Sequence, residues 1–311
     1  MKLNIVYMGT PEFSVLPLQE LIKEYSVSLV VTQPDKRVGR KQEICFSPVK
    51  EFALENNIEV FQPINIKEDY QKVLDTKPDL IITCAYGQII PKEMLDYPKY
   101  GCINIHASLL PKYRGGAPIH HSIINGDEYT GVTIMYMDTK MDSGDILYQE
   151  KIKIEDFDNV GTMFKKLSEL GSKMIIKCLP DIINGNIKPI KQDESKVIYA
   201  YNISKDDEKI DFNNTSRDIF NKIRGLNPFP VSYALLDNKR VKLYSSRIGE
   251  SNKDGKIGEI INIYSDGLGI KTKDGEIVIE ELQFEGKKKT SVKEYLNGIQ
   301  NKSELLGKVF N

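Results

Sequence analysis

Residues 3–32 read LNIVYMGTPEFSVLPLQELIKEYSVSLVVT, and how this run divides sets the architecture of the amino-terminal half. Six mostly apolar residues, 3–8 (LNIVYM), stop at a Gly9-Thr10-Pro11-Glu12 turn. Helical spacing follows over 11–24, and 27–32 (VSLVVT) reads again as a strand. The alternation continues with strands at 79–83 (DLIIT) and 102–106 (CINIH) and helices at 48–57, 66–76, 91–97 and 117–126. Strands this rich in Ile and Val, with helices between them, predict a parallel sheet buried on both faces within an open α/β fold. Ligands of such sheets lie outside the carboxyl ends of the strands, so the loops after Met8, Thr32, Thr83 and His106 should share one crevice.

Strands at 130–137 and 146–154 and a long helix at 160–184 complete the first unit, predicted as residues 1–188. The polar stretch 189–206, with Pro189 and the charged KQDESK, reads as a linker. Residues 207–311 are predicted as a second domain: a helix at 215–225, then short alternating segments (VSYALL, RVKLYSSRI, GKIGEIINIY, GLGIKTKD, EIVIEELQF) separated by Gly and Asp turns. A small β-barrel is the expected outcome.

Bulk properties limit the function classes. At 311 residues two domains are the default, on a prior of roughly 150 residues each. A formal net charge of -1 excludes a globally basic nucleic-acid binder, so any polyanion must be met by a local patch. Cys45, Cys84, Cys102 and Cys178 show no CxxC spacing, which argues against a zinc site or disulfide framework and fits a reducing cytosol. The first apolar run is too short for a signal peptide or membrane span, so a soluble intracellular chain without a membrane partner is expected. The GTPEF turn lacks both GxGxxG and GxxxxGK[ST], which makes NAD and ATP poor candidates.

All three histidines fall within 102–121, CINIHASLLPKYRGGAPIHH. Asn104 and His106 are two apart on a strand, so their side chains share a face. A strand-end His can simply bond a loop carbonyl, and a loop carboxylate such as Asp142 in MDTKMDSGDIL can simply form a turn. Together the three residues could serve an oxyanion and its proton transfers, because a carboxylate beside an imidazole orients it and favours its charged form. His120 and His121 face different ways on a helix and have no ligand spacing with His106, so packing or surface roles and no catalytic metal are expected.

The chain resembles the folate-dependent formyltransferase superfamily in MGTPEF (8–13), TQPD (32–35), SPVK (47–50), AYGQIIP (85–91), NIHASLLPKYRGGAPI (104–119), GVTIMYMD (131–138), MDSGDIL (141–147) and LNPFP (226–230). The resemblance implies a Rossmann-like catalytic domain and an OB-like carboxyl-terminal domain that binds tRNA. It implies 10-formyltetrahydrofolate as formyl donor, the α-amine of methionine on initiator tRNA as acceptor, and a monomer. Asn104, His106 and Asp142 stand at the catalytic positions. Tyr86, Gly87, Gln88, Ile89, Ser108, Leu109, Leu110, Pro111, Met141 and Gly144 stand at folate-binding positions, with Lys112 to Gly116 as the rim of the crevice. Lys36, Arg37, Arg40 and Lys41 match a basic loop that enters the acceptor stem, although GRKQE replaces the commoner GRGKK. Lys287, Lys288 and Lys289, with Lys239, Arg240, Lys242 and Arg247, offer phosphate contacts on the second domain. Two rival classes remain at this level. A small-molecule amine formyltransferase has no need of the basic insertion, and a non-catalytic RNA-binding protein has no need of the Asn104–His106–Asp142 trio.

Overall fold

The first apolar run becomes strand β1 (Asn4–Gly9), whose last five residues are all buried, as expected of a strand covered on both faces. The structure, a computed structural model, describes residues 3–38, 42–251 and 253–311. By contact the chain forms two units. The first comprises 1–118, 129–153 and 164–201; the second comprises 119–128, 154–163 and 202–311. Residues 119–128 and 154–163, read from sequence as parts of a continuous first domain, thus group with the second unit.

The first unit's strands are β1, β2 (Ser26–Val31), the short hairpin β3 (Lys36–Val38) and β4 (Glu43–Cys45), β5 (Val60–Phe61), β6 (Leu80–Cys84), β7 (Cys102–His106), β8 (Lys112–Arg114), β9 (Tyr129–Tyr136), β10 (Ile146–Lys153) and β11 (Ile198–Tyr199). Seven form one sheet in the order β10-β9-β7-β6-β1-β2-β5. The members from β7 to β5 run parallel, while β9 is antiparallel to β7 and β10 to β9. Helices α1 (Val15–Glu24), α2 (Pro48–Glu55), α3 (Ile66–Asp69), α4 (Gln71–Asp75) and α5 (Lys92–Asp96) supply crossovers. Ser47 starts α2, its Oγ accepting from the Lys50 N–H at 3.1 Å with Pro48 in the first turn. The sequence reading of 66–76 as one helix is corrected: it divides at Tyr70 into α3 and α4.

Register explains how the β9–β10 connection is placed. Because β9 is antiparallel to β7, its end lies beside the start of β7, where the Met137 N–H donates to the Cys102 carbonyl at 2.8 Å. Residues 137–145 therefore leave from the amino end of β7 and must double back to reach the segment that follows His106. They do so: Asp142 meets Gly115.

The stretch 189–206 is not a free tether. Ile190 and Ile146 exchange backbone hydrogen bonds of 2.8 and 2.9 Å, and β11 pairs in parallel with β8. Helices α6 (Pro118–Ile124) and α7 (Val160–Ile183) precede it.

In the second unit α8 (Ser216–Gly225) is capped by Thr215, whose side chain accepts from the Asp218 N–H at 3.1 Å. Strands β12 (Ser232–Leu236), β13 (Lys239–Ile248), β14 (Ile260–Ile263), β15 (Leu268–Lys271) and β16 (Glu276–Phe284) pair in the order β12-β13-β16-β15-β14, with β17 (Thr290–Ser291) on β16 and α9 (Val292–Asn297) after it. Bridges from Phe310 to Leu236 and from Val309 to Glu259 join the two edge strands, so the sheet closes into a small OB-like barrel without exposed edges there. Its core gathers Val241, Leu243, Ile270, Ile277, Ile279 and Leu282, with Ile219 and Ile223 of α8 packed among them. Among the described residues no helix is long and apolar enough to cross a membrane.

Candidate active site

Strand alternation delivers Asn104 and His106 as expected: the first is half-buried, the second buried. The Thr83 hydroxyl, opposite Asn104 in the β6–β7 register, donates to Asn104 Oδ1 at 2.8 Å. That bond fixes the amide orientation and leaves Nδ2 as a donor without a partner among the described residues. His106 Nε2 lies 2.9 Å from the Tyr113 carbonyl. A carbonyl only accepts, so Nε2 carries the hydrogen and Nδ1 is the atom turned toward Asp142. His106 Nδ1 and Asp142 Oδ1 are 3.7 Å apart, an ion pair when the ring is charged.

Between His106 and Tyr113 the chain is braced by buried hydroxyls. Ser108 Oγ donates to the Lys112 carbonyl at 2.7 Å, Thr133 Oγ1 donates to the Ser108 carbonyl at 2.6 Å, and the Leu110 N–H donates to Thr133 Oγ1 at 3.2 Å. Gln149 Nε2 reaches the Leu110 carbonyl at 2.9 Å. Ser108 to Pro111 are thereby held against β9 and β10, and Leu109 and Pro111 remain half-buried.

Asp142 sits in a left-handed backbone conformation (φ 48°), uncommon for a residue with a side chain. Its Oδ2 accepts from the Gly115 N–H at 2.8 Å. Two residues on, Gly144 is required, because a Cβ there would lie 1.8 Å from the Tyr136 carbonyl oxygen. Gln192 Nε2 donates to the carbonyls of both Asp142 and Gly144 at 2.8 Å. Its Oε1 accepts from Arg114 Nε at 3.0 Å and Nη2 at 2.9 Å. Arg114 also binds Glu194 at 2.7 Å, and this holds the Glu194 carboxyl below its usual range. Arg114, within the 112–116 segment expected to form the rim of the crevice, is itself buried.

The folate-position residues fall into two groups. The loops after β1, β2 and β6 are tied together, since Thr10 Oγ1 and Gln33 Nε2 both donate to the Tyr86 carbonyl, at 3.1 and 3.0 Å, and Gln88 Nε2 donates to Gln33 Oε1 at 3.3 Å. Gly87 (φ 90°) and Ile89 are exposed there, and Met141 is exposed on the Asp142 loop. Tyr86 differs: its ring lies in the core with Val6, Met8, Leu29 and Ile81, and burial pushes its hydroxyl pKa up.

Of the cations expected to meet tRNA, Lys36 and Arg37 are exposed on β3. Arg40 and Lys41 lie outside the described residues. On the barrel Lys289 pairs with Glu281 at 2.8 Å, Arg240 with Glu208 at 2.6 Å, and Arg247 with Glu280 and Asp266. Lys287 and Lys288 are exposed, with no carboxylate in ion-pairing range among the described residues.

His120 contributes its Nε2 to the Phe229 carbonyl at 3.3 Å, and burial lowers its pKa, a packing role apart from His106. Burial raises the thiols of Cys84 and Cys178 to about 12 and suits them to inert core roles. Among the described residues no three His, Cys, Asp or Glu side chains could hold a metal ion together. A surface cavity of about 600 Å³ lined by Asp206, Lys209, Phe212 and Lys222 belongs to the second unit and shares no residue with this site.

Sequence reading passed over Thr83, Thr133, Gln149 and Gln192. Thr83 and Thr133 carry no motif. Gln192 was hidden inside a stretch read as a linker, where only its position between two folded regions could have drawn notice.

Comparison with known proteins agrees with this geometry. Residues 1–179 match the family model "Formyl transferase", and 202–300 match "Formyl transferase, C-terminal domain". The methionyl-tRNA formyltransferase of Bacillus cytotoxicus is 49% identical over 300 residues, 95% of this chain and 96% of the relative. That of Bacillus anthracis (strain A0248) is 48% identical over the same shares. Among solved structures, WlaRD, a sugar 3N-formyl transferase crystallised with dTDP and 5-N-formyl-THF, superposes with a TM-score of 0.67 at 24% identity, covering 93% of this chain and 100% of its own. HypX from Aquifex aeolicus in complex with tetrahydrofolic acid gives 0.64 at 17%, covering 96% and 47%. With sequence likeness along nearly its whole length and the same two-part organisation, the chain belongs to the formyl transferase family, alongside the methionyl-tRNA formyltransferases.

Proposed function

We propose that Asn104, His106 and Asp142 transfer the formyl group of 10-formyltetrahydrofolate to the α-amine of methionine esterified to initiator tRNA, giving N-formylmethionyl-tRNA and tetrahydrofolate. The observation that carries this reading is the meeting of an oriented amide, an imidazole and a carboxylate from two separate segments, with His106 Nδ1 3.7 Å from Asp142 Oδ1. The folate-position residues fit a flat heteroaromatic ligand. Gly87 leaves its side open, a Cβ there meeting only Gln33 Nε2 at 3.5 Å, and Ile89 and Met141 expose apolar surface that a pteridine can cover.

Bound 10-formyltetrahydrofolate supplies an activated formyl group. Asn104 Nδ2 is a pre-oriented donor for the negative charge that develops on the formyl oxygen as the amine attacks, a contribution of about 3–4 kcal/mol at a well-placed donor. His106 has Nε2–H committed to the Tyr113 carbonyl, so its Nδ1 faces Asp142 and, when it carries a proton, is a second donor to the developing oxyanion. Asp142, directly or through water, accepts the proton that leaves the attacking nitrogen. As the new C–N bond forms and the bond to the folate nitrogen breaks, that proton passes to the departing nitrogen. No covalent enzyme intermediate is required, because the amine is already a good nucleophile.

The tRNA is read as held through Lys36, Arg37, Arg40 and Lys41 and through Lys287, Lys288 and Lys289, acting as phosphate-binding cations. A substrate that is aminoacylated tRNA supports a cytoplasmic location, and the superfamily resemblance implies a monomer. The test offers 10-formyltetrahydrofolate with methionyl initiator tRNA, methionyl elongator tRNA or free amino sugars and follows formyl transfer. Preferential formylation of the initiator species is expected. Preference for an amino sugar overturns the acceptor assignment while leaving the formyl chemistry in place.

A further inference from the structure

Asp142 is held from two directions, and both lead to the same neighbours. Its carboxylate accepts from the Gly115 N–H, and its backbone carbonyl accepts from Gln192 Nε2, each at 2.8 Å. Gln192 is in turn gripped by Arg114, the residue before Gly115, through two donors at 3.0 and 2.9 Å. The ring Asp142–Gly115–Arg114–Gln192–Asp142 is therefore closed. Its second tie, from Gln192 Nε2 to the Gly144 carbonyl at 2.8 Å, clamps the turn on both sides of Ser143. Asp142 needs such a clamp because its φ of 48° is a conformation a non-glycine residue adopts only when its surroundings impose it. Arg114 suits the gripping role: its guanidinium is buried, so its planar fork presents Gln192 in one orientation, Oε1 toward the cation and Nε2 toward the two carbonyls.

We infer that Gln192, oriented by Arg114, is a positioning residue for formyl transfer: it sets where the Asp142 carboxylate stands relative to His106 and does not itself touch the reacting atoms. The inference rests on the reading of Asp142 as the proton acceptor. It gives the stretch between the two family-matched regions a place in the active site.

The alternative, that Gln192 only pins its own segment to the first unit, is separated by Gln192→Glu. This near-isosteric change keeps and strengthens the contact with Arg114, so the segment stays pinned. It also replaces the two donors with a carboxylate that repels the Asp142 and Gly144 carbonyls. The expected result is a kcat lower by about 10–100-fold, the scale of displacing a reacting group by a fraction of an ångström to an ångström. KM for methionyl-tRNA and for the folate should stay within about 3-fold. Combined with Asp142→Asn, the change should add little further loss, since both act through one carboxylate. Wild-type kcat in Gln192→Glu, or a loss that simply multiplies that of Asp142→Asn, overturns the inference. Should the Glu variant not fold, Gln192→Ala is expected to show the same loss confined to kcat, and wild-type kcat in it is equally decisive against. Full activity in Asp142→Asn alone removes the underlying reading of Asp142, an outcome distinct from the other two.

Discussion

Asn104 and His106 were legible because strand alternation is a rigid rule: two residues apart means one face, whatever the rest of the fold does. Asp142 was legible through the MDSGDIL stretch that carries the resemblance, whereas its own residue type and setting marked it only as a carboxylate in a loop. That loop leaves from the wrong end of β7 for a simple strand-end crevice, and its return depends on a left-handed residue, a glycine against the Tyr136 carbonyl and a glutamine from a third segment. Of these only the glycine, Gly144, lies in a stretch that sequence singles out; the left-handed turn and Gln192 have no local signature. Tyr86 lies inside a recognisable motif while its ring belongs to the core, so any part it plays in the crevice falls to its backbone groups. The chemistry at these positions makes a direct prediction. Asn104→Ala, His106→Ala and Asp142→Ala should each lower turnover at least ~100-fold with the fold retained by circular dichroism, on the scale of a lost oxyanion donor or acid–base group. Near-normal turnover in all three would sink the assignment of the trio.

Strand neighbours convert these side chains into a site. The parallel pairing of β6 with β7 sets Thr83 opposite Asn104, so the hydroxyl that orients the Asn104 amide comes from register and from no feature near Asn104 in the chain. Thr83→Val retains shape and β-propensity while deleting that hydrogen bond. The freed amide can then rotate and present its oxygen to the developing charge. A kcat reduction of about 10-fold is expected, together with a stability loss of about 1 kcal/mol by chemical denaturation. An unchanged kcat would mean that Asn104 is oriented by something else. Long apolar strands and the 24-residue α7 were readable from periodicity. The two- and three-residue strands β5, β8 and β11 were not, because so short a run carries no period. β11 matters most among them: with Ile190 and Gln192 it turns a composition-based linker into part of the site's support.

Over the whole chain the charge balance is near neutral, so tRNA affinity must come from where cations remain uncompensated. Sequence could count the basic residues of the barrel but could not say which are already paired. The structure pairs Arg240, Arg247 and Lys289 with carboxylates, and a cation so engaged gives up an existing partner before it can gain a phosphate. Lys287 and Lys288 have no such cost. They sit beyond the end of β16, next to the turn at Gly286 (φ 72°), which presents them outward. Removing one cation that neutralises a phosphate should reduce the slope of log affinity against log salt by close to one. Lys287→Glu with Lys288→Glu should therefore weaken methionyl-tRNA binding, flatten that slope by about 2, and leave the KM for 10-formyltetrahydrofolate unchanged. Reversing Arg240 or Arg247 should flatten it less and cost more stability, because those changes set like charges against Glu208 or against Glu280 and Asp266. Binding measured from low to moderate salt separates the two sets. An unaltered slope in the double lysine variant excludes this end of the barrel as an RNA surface and leaves the exposed Lys36 and Arg37 as the cations to reverse next.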